Sequence, residues 1–193
     1  MVRLGIDIDG VLANFDIQYR RLLKSRFGIT LARRDVTRFN IPEIVGLSQK
    51  DSERIIAEFR ERRLWENLSL VRGALPFIRH INSNCSVTVV TSRPFELKEM
   101  TENWLLKKKI RFDRLILTAG GSKWTAFEKA EGKPDYFIED CLEYAAALAD
   151  KGIRVLLLDC PWNREPVKHP NIQRMKGFGE IIGVLDKKKR RGE

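Results

Sequence analysis

Apolar residues fall along the chain in two alternating patterns: short, nearly continuous runs, and longer stretches in which they return every three or four positions. Val2 to Ile8 (Val-Arg-Leu-Gly-Ile-Asp-Ile) predicts a short strand ending among acidic residues. From Asn14 to Phe27 the spacing turns helical, with Phe15, Tyr19, Leu22 and Leu23 apolar and Gly28 placed to cap the C-terminus. An irregular stretch containing Phe39, Asn40 and Pro42 leads to a second helix. Ser48 opens that helix as N-cap with Asp51 three residues on, and Ile55, Ile56 and Phe59 line it. A short helix over Ala74 to Ile81 precedes Cys85-Ser-Val-Thr-Val-Val, a β-branched run typical of a buried strand that Thr91-Ser92-Arg93-Pro94 ends. A helix from Phe95 to Lys108, a strand at Leu115 to Thr118, and a Gly120-Gly121-Ser122-Lys123 turn into another helix follow. Asp135 to Ile138 is strand again, Tyr144 to Lys151 an Ala-rich helix closed by Gly152, and Ile153 to Leu158 the last clear strand.

Strands that alternate with helices imply a parallel sheet covered on both faces, a doubly wound α/β fold. One interval departs from this rhythm. Roughly 75 mainly helical residues separate the first two strands, far more than a crossover requires. The excess reads as a small helical cap inserted at residues 15–71 into a core formed by 1–14 and 72–186, with a basic tail at 187–193.

The 193 residues suffice for one hydrophobic core plus that insertion, and 43% hydrophobic with 32% charged residues is the balance of an ordinary soluble domain. No apolar run reaches the roughly 20 residues that cross a bilayer. The N-terminus lacks the apolar region and cleavage site of a signal peptide, so a cytoplasmic location is expected. Cys85, Cys141 and Cys160 are odd in number and lack C-x-x-C spacing, which argues against a zinc site; Cys85 and Cys160 read as small core residues and Cys141 lies beside an acidic pair. The net charge of +10 includes Lys187-Lys188-Lys189-Arg190-Arg191, which reads as a frayed, solvated tail. Positive charge favours any phosphate-bearing substrate. It also leaves open a nucleic-acid-associated role, although Lys and Arg are scattered and no nucleic-acid motif appears.

Chemistry-bearing residues gather at the strand ends. Asp7-Ile8-Asp9-Gly10-Val11 closes the first strand, where doubly wound folds place ligands. Two carboxylates so close repel unless a hard cation such as magnesium relieves them; otherwise the segment is an acidic turn with Gly10 at its bend. Thr91, with Ser92 beside it, offers a hydroxyl and backbone N–H groups to a phosphate, or satisfies its own backbone. Lys123 at a helix start can set a point charge on a phosphoryl group, or stay solvated. Asp140, after Glu139 at the end of the fourth strand, suits a third metal carboxylate or the N-cap of the next helix.

Taken together and in this order, these four elements resemble the haloacid dehalogenase superfamily. Asp7-x-Asp9-Gly10-Val11 matches its first motif, Thr91 its second, Lys123 its third and Glu139-Asp140 its fourth. Asp7 to Ala13, Thr91 to Pro94, Phe137 to Asp140 and Leu156 to Arg164 look most like the 5′(3′)-deoxyribonucleotidase branch and its bacterial relatives. The resemblance implies an Mg2+-dependent phosphatase with Asp7 as nucleophile and Asp9 as general acid, later base. It implies metal held by Asp7, the Asp9 backbone carbonyl and Asp140, and phosphate held by Thr91, Ser92 and Lys123. The implied substrate is a small phosphorylated molecule, a nucleoside monophosphate in the first instance and a sugar phosphate in the alternative. Asn14 stands where relatives often carry an acid, and Lys129 competes with Lys123 for the third motif. Phe39, Trp65 and Phe95 are candidates to stack on a nucleobase, or else ordinary packing residues. Trp162-Asn163-Arg164 carries the likeness without a catalytic role, and neither His80 nor His169 has a partner suggesting catalysis.

Overall fold

In a computed structural model, which describes residues 1–129 and 132–190, the chain forms a six-stranded, wholly parallel sheet in the order β3-β2-β1-β4-β5-β6. The strands are β1 (Val2–Ile6), β2 (Cys85–Thr91), β3 (Arg114–Leu117), β4 (Tyr136–Glu139), β5 (Arg154–Leu158) and β6 (Ile172–Met175). Helices α1 (Phe15–Phe27), α2 (Ile41–Val45) and α3 (Gln49–Glu61) lie between β1 and β2. They are followed by α4 (Ala74–Ile81), α5 (Lys98–Lys107), α6 (Lys123–Lys129), α7 (Leu142–Asp150) and α8 (Phe178–Arg190).

Side chains of a strand alternate between faces, and here both sets are buried. Tyr136, Ile138, Leu156 and Leu158 join a cluster with Phe77 and Ile78 of α4, Trp104 and Leu105 of α5, and Ile181 and Leu185 of α8. Phe137, Val155 and Leu157 join another with Phe127 of α6 and Ala145, Leu148 and Ala149 of α7. The sheet is therefore sandwiched between two helical layers, which is why its central strands read as continuous apolar runs. Gly5 on β1 makes this packing possible: a Cβ there would lie 2.3 Å from the Phe137 ring.

The sequence signals at element ends are largely met. Gly28 caps α1 in the left-handed conformation, and the Ser48 hydroxyl accepts the Asp51 N–H at 3.1 Å to start α3. Four features differ from expectation. The stretch around Asn40 and Pro42 contains α2, which begins at Ile41 with proline in its first turn, where a missing N–H costs nothing. The run from Phe95 to Lys108 is a single 3-10 turn, Phe95–Leu97, followed by α5. Leu158 does not end the sheet, because β6 adds a strand at its edge. Nor does the chain fray at Lys187: α8 runs through Arg190, with Lys188 paired to Asp135 at 3.3 Å and 5.4 Å from the Tyr136 ring centroid. Residues 191–193 of the basic tail lie outside the described residues.

The insertion leaves and rejoins the core through one neck. Ala13 pairs with Leu70 in an isolated antiparallel bridge, the Asn14 N–H donates to the Ser69 carbonyl and the Val71 N–H to that of Leu12. The Asn14 side chain adds a bond to the Leu70 carbonyl at 2.7 Å. Asparagine at this position thus serves the neck. Beyond it, Phe15, Phe59 and Trp65 close into an aromatic cluster with ring centroids 5.0–5.2 Å apart. No helix among the described residues is long and apolar enough to cross a membrane.

Candidate active site

β1 lies between β2 and β4: the chain winds outward to β3 on one side and then crosses back to β4 on the other, which opens a crevice at the C-terminal end of β1. Asp7 follows β1, Thr91 ends β2 and Glu139-Asp140 follows the apolar run of β4. Asp7, Glu139 and Asp140 are all buried, and one carboxylate oxygen from each lies within 4.8 Å of the other two. Lys123, at the first turn of α6, reaches into this cluster, 2.6 Å from Glu139 and 3.0 Å from Asp7, with its side chain only 2% exposed. Burial works against the Lys123 charge, but Asp7 and Glu139 outweigh it and hold the ammonium. The solvated-lysine reading of this residue is thereby excluded. The side chain of its competitor, Lys129, lies outside the described residues.

Burial drives the Asp7 carboxyl up to about 7; Lys123 opposes the shift, and Glu139 and Asp9 reinforce it. Burial, followed by the charges of Glu139 and Asp7, raises Asp140 as well. Asp140 does not cap α7, since Cys141 occupies that position. Its Oδ2 accepts the Trp162 indole N–H at 3.0 Å, whereas its Oδ1 is buried without a partner. The turn that carries Asp9 presses against the same carboxylate. Gly10 has φ +88°, and a Cβ there would sit 1.8 Å from Asp140 Oδ2, so only glycine fits both the backbone and the space.

Asp9 stands apart from the trio. Its two carboxylate oxygens accept the Arg93 fork at 2.8 Å each. Arg93 is buried, donates also to Thr101 and lies 4.7 Å from the centroid of Trp65. The Thr91 hydroxyl accepts the Arg93 N–H at 3.3 Å, the local bond that its isolated reading anticipates, while the Ser92 hydroxyl is buried and unpartnered.

Asp9, Ser92, Arg93 and Asp140 form one end of a cavity of about 800 Å3; Phe15, Tyr19, Phe39, Ile56 and Trp65 from residues 15–71 form much of the rest. Phe39 is half-exposed at its wall, edge-on to Tyr144 of α7. Trp65 is buried against Phe15, Phe59 and Arg93, the surroundings of a packed residue. Phe95 is 64% exposed and not part of the wall, so the structure does not bring it to the site. All three cysteines are buried and none forms a disulfide. Cys141 borders the site, but burial pushes its thiol up to about 12, leaving it an unreactive neighbour.

Sequence reasoning missed three contributors. Arg93 was visible only as part of a strand-end motif, although a buried arginine demands a carboxylate. Glu139 orients Lys123 and accepts the backbone N–H groups of Asp140 and Cys141, a role hinted at by an acid ending an apolar strand. Asn163 donates to the Asp140 and Leu158 carbonyls, tying the loop after β5 to the site; nothing in its local pattern announces this.

The fold recurs in a haloacid dehalogenase family hydrolase from Deinococcus radiodurans solved with phosphate and sodium, 14% identical with a TM-score of 0.69 over 96% of this chain and 95% of that one. It recurs too in Bacillus subtilis YfnB, solved with magnesium, 14% identical with a TM-score of 0.67 over 96% and 98%. The fold is that of the haloacid dehalogenase superfamily, and the family and relatives that the chain matches make it a phosphatase of that superfamily. Within that class the match is specific: residues 1–187 fit the model of the family described as 5′ nucleotidase, deoxy (pyrimidine), cytosolic type C protein, and the chain belongs to that family. A nucleotidase from Clostridium acetobutylicum is 27% identical over 186 residues, covering 96% of this chain and 94% of the relative.

Proposed function

We propose that this phosphatase hydrolyses nucleoside monophosphates, deoxynucleotides among them, through an aspartyl-phosphate on Asp7, with magnesium as cofactor. The observation that carries the reading is the buried trio of Asp7, Glu139 and Asp140, to which Lys123 brings one positive charge. Lone buried carboxylates are costly, and the unpartnered Asp140 Oδ1 lacks a donor. A hard divalent cation bound by oxygen ligands answers both needs, so the residues fit magnesium. Asp7, the Asp9 carbonyl and Asp140 would hold it, and when bound it neutralises charge on the transferring phosphoryl group.

The chain's own groups account for both steps. Asp7 attacks phosphorus as the bond to the leaving oxygen breaks, and Asp9 gives that oxygen its proton. Water then attacks the same phosphorus, the bond to Asp7 breaks, and Asp9 takes the water's proton as phosphate departs. Thr91, Ser92 and Lys123 bind the phosphoryl oxygens, and Glu139 keeps the Lys123 ammonium in place. The Arg93 fork occupies one lone pair on each Asp9 oxygen, and a remaining lone pair carries the proton that Asp9 gives to the leaving oxygen and takes back from water.

Residues 15–71 act as a cap that selects the leaving alcohol. The cavity they wall has the size of a small-molecule site and mostly apolar sides, which suits a nucleoside. The family match and the Clostridium nucleotidase favour the same substrate class.

Phosphate release from a panel of phosphomonoesters, in magnesium and in EDTA, tests the reading. Nucleoside monophosphates are expected to lead and EDTA to abolish turnover. Sugar phosphates outperforming every nucleotide would remove the substrate assignment, and full activity in EDTA the metal. Asp9→Asn is expected to lose about a hundredfold to ten-thousandfold on alkyl phosphates and less on activated aryl phosphates, whose leaving groups need no proton. Near-normal turnover of alkyl phosphates would overturn the role of Asp9.

A further inference from the structure

The loop after β5 approaches the carboxylate cluster from outside it. Trp162 projects its indole N–H onto Asp140 Oδ2 at 3.0 Å. Asn163, buried beside it, fixes the Asp140 carbonyl at 2.7 Å and is itself gripped by Arg174 of β6 through its side-chain and backbone oxygens. The other side of Trp162 meets the insertion. The Arg33 guanidinium lies 4.9 Å from the indole centroid, and Arg33 is anchored to buried Asp16 at 2.7 Å. Of the two Asp140 oxygens, one is thus claimed by Trp162 and the other, Oδ1, is buried with no partner.

We infer that Trp162 is a positioning residue for the cation site: by holding Oδ2 it fixes the Asp140 rotamer and presents Oδ1 to magnesium, and Arg33 of the insertion steadies the indole that does so. A carboxylate free to rotate offers either oxygen and loses rotamer entropy on coordination; one held by an N–H loses that entropy on folding instead. Groups that orient a metal ligand without touching the metal typically change affinity about 10- to 100-fold when removed. The Arg33 contact links this orientation to the insertion, so the cation site registers where the insertion sits. The inference rests on the metal reading proposed above.

Magnesium titrations followed by melting temperature give the apparent affinity without turnover, because a ligand at free concentration L that binds only the folded state raises stability by RT ln(1 + L/Kd). Trp162→Phe keeps the ring and loses the N–H; it is expected to melt near wild type without metal and to bind magnesium about tenfold more weakly. Arg33→Met is expected to shift affinity in the same direction by less. A Trp162→Phe affinity within twofold of wild type overturns the inference, and so does an affinity loss accompanied by an equally large fall in metal-free melting temperature. An unchanged Arg33→Met affinity overturns the link to the insertion. Wild-type protein that magnesium does not stabilise at any concentration overturns the metal reading itself, an outcome distinct from the other three.

Discussion

In the proposed mechanism Asp7 carries two demands that conflict without a cation: it attacks phosphorus as a carboxylate, and burial keeps it protonated up to about 7. An unfolded aspartate titrates near 3.8, so between those values the folded, metal-free protein holds a proton that the unfolded chain has released. The stability from this group is therefore full below about 3.8 and is lost as pH rises through about 7. Metal-free wild type is expected to melt lower at pH 8 than at pH 5, and Asp7→Asn to show a smaller difference. Magnesium reverses the sign, because coordination requires the carboxylate form; its affinity is expected to fall as pH drops below about 7. Melting curves at the two pH values, with EDTA and with magnesium, check both statements, and equal metal-free stability at pH 5 and pH 8 would contradict the first. At this scale the site was half legible. Asp7, Asp9 and Asp140 stand just past strand ends and Lys123 at a helix start, where a pattern can find them. Arg93 and Glu139 gain their importance from partners 84 and 16 residues away, separations that no local spacing encodes.

Elements are legible where their burial is one-sided and their ends are capped. α3 announces itself through Ser48 and the spacing of Ile55 and Phe59, both buried. β6 does not, because its four residues, Ile-Gln-Arg-Met, bury only the first and last, and Arg174 serves the loop after β5 instead of a sheet face. α2 is five residues long, too short for periodicity to register. Trp65 belongs to this scale, since the single turn Leu64–Asn67 that carries it joins α3 to the aromatic cluster. Trp65→Ala is expected to destabilise the protein by about 3–5 kcal/mol, as large-to-small core changes do. It should lower kcat/KM by similar factors on a nucleoside monophosphate and on a small alkyl phosphate, because Arg93 loses its neighbour in both cases. A loss confined to the nucleotide would show instead that the indole stacks on the base.

Across the whole molecule, the doubly wound architecture followed from alternation alone, whereas the C-terminus did not read correctly. A run of Lys and Arg looks like a solvated tail, but Lys188 is only partly exposed and has a carboxylate to meet in Asp135. Removing residues 187–193 takes away that ion pair and the cation over Tyr136, together about 1 kcal/mol, which lowers the melting temperature by about 2–4 °C in a chain this size. Turnover of a small phosphate should not change, and Lys188→Ala should reproduce most of the shift. A large loss of activity on truncation would instead place the C-terminus at the active site.

The neck at Ala13–Asn14 and Ser69–Val71 has one more consequence. Because the chain departs and returns through residues already bonded to each other, a longer insertion adds little to the cost of closing it: each doubling of a closed loop's length costs only about 0.6 kcal/mol. Residues can therefore be added or removed at exposed turns of the insertion at small cost. What cannot be exchanged freely are the side chains that reach back across the neck, Arg33 to Trp162 and Trp65 to Arg93.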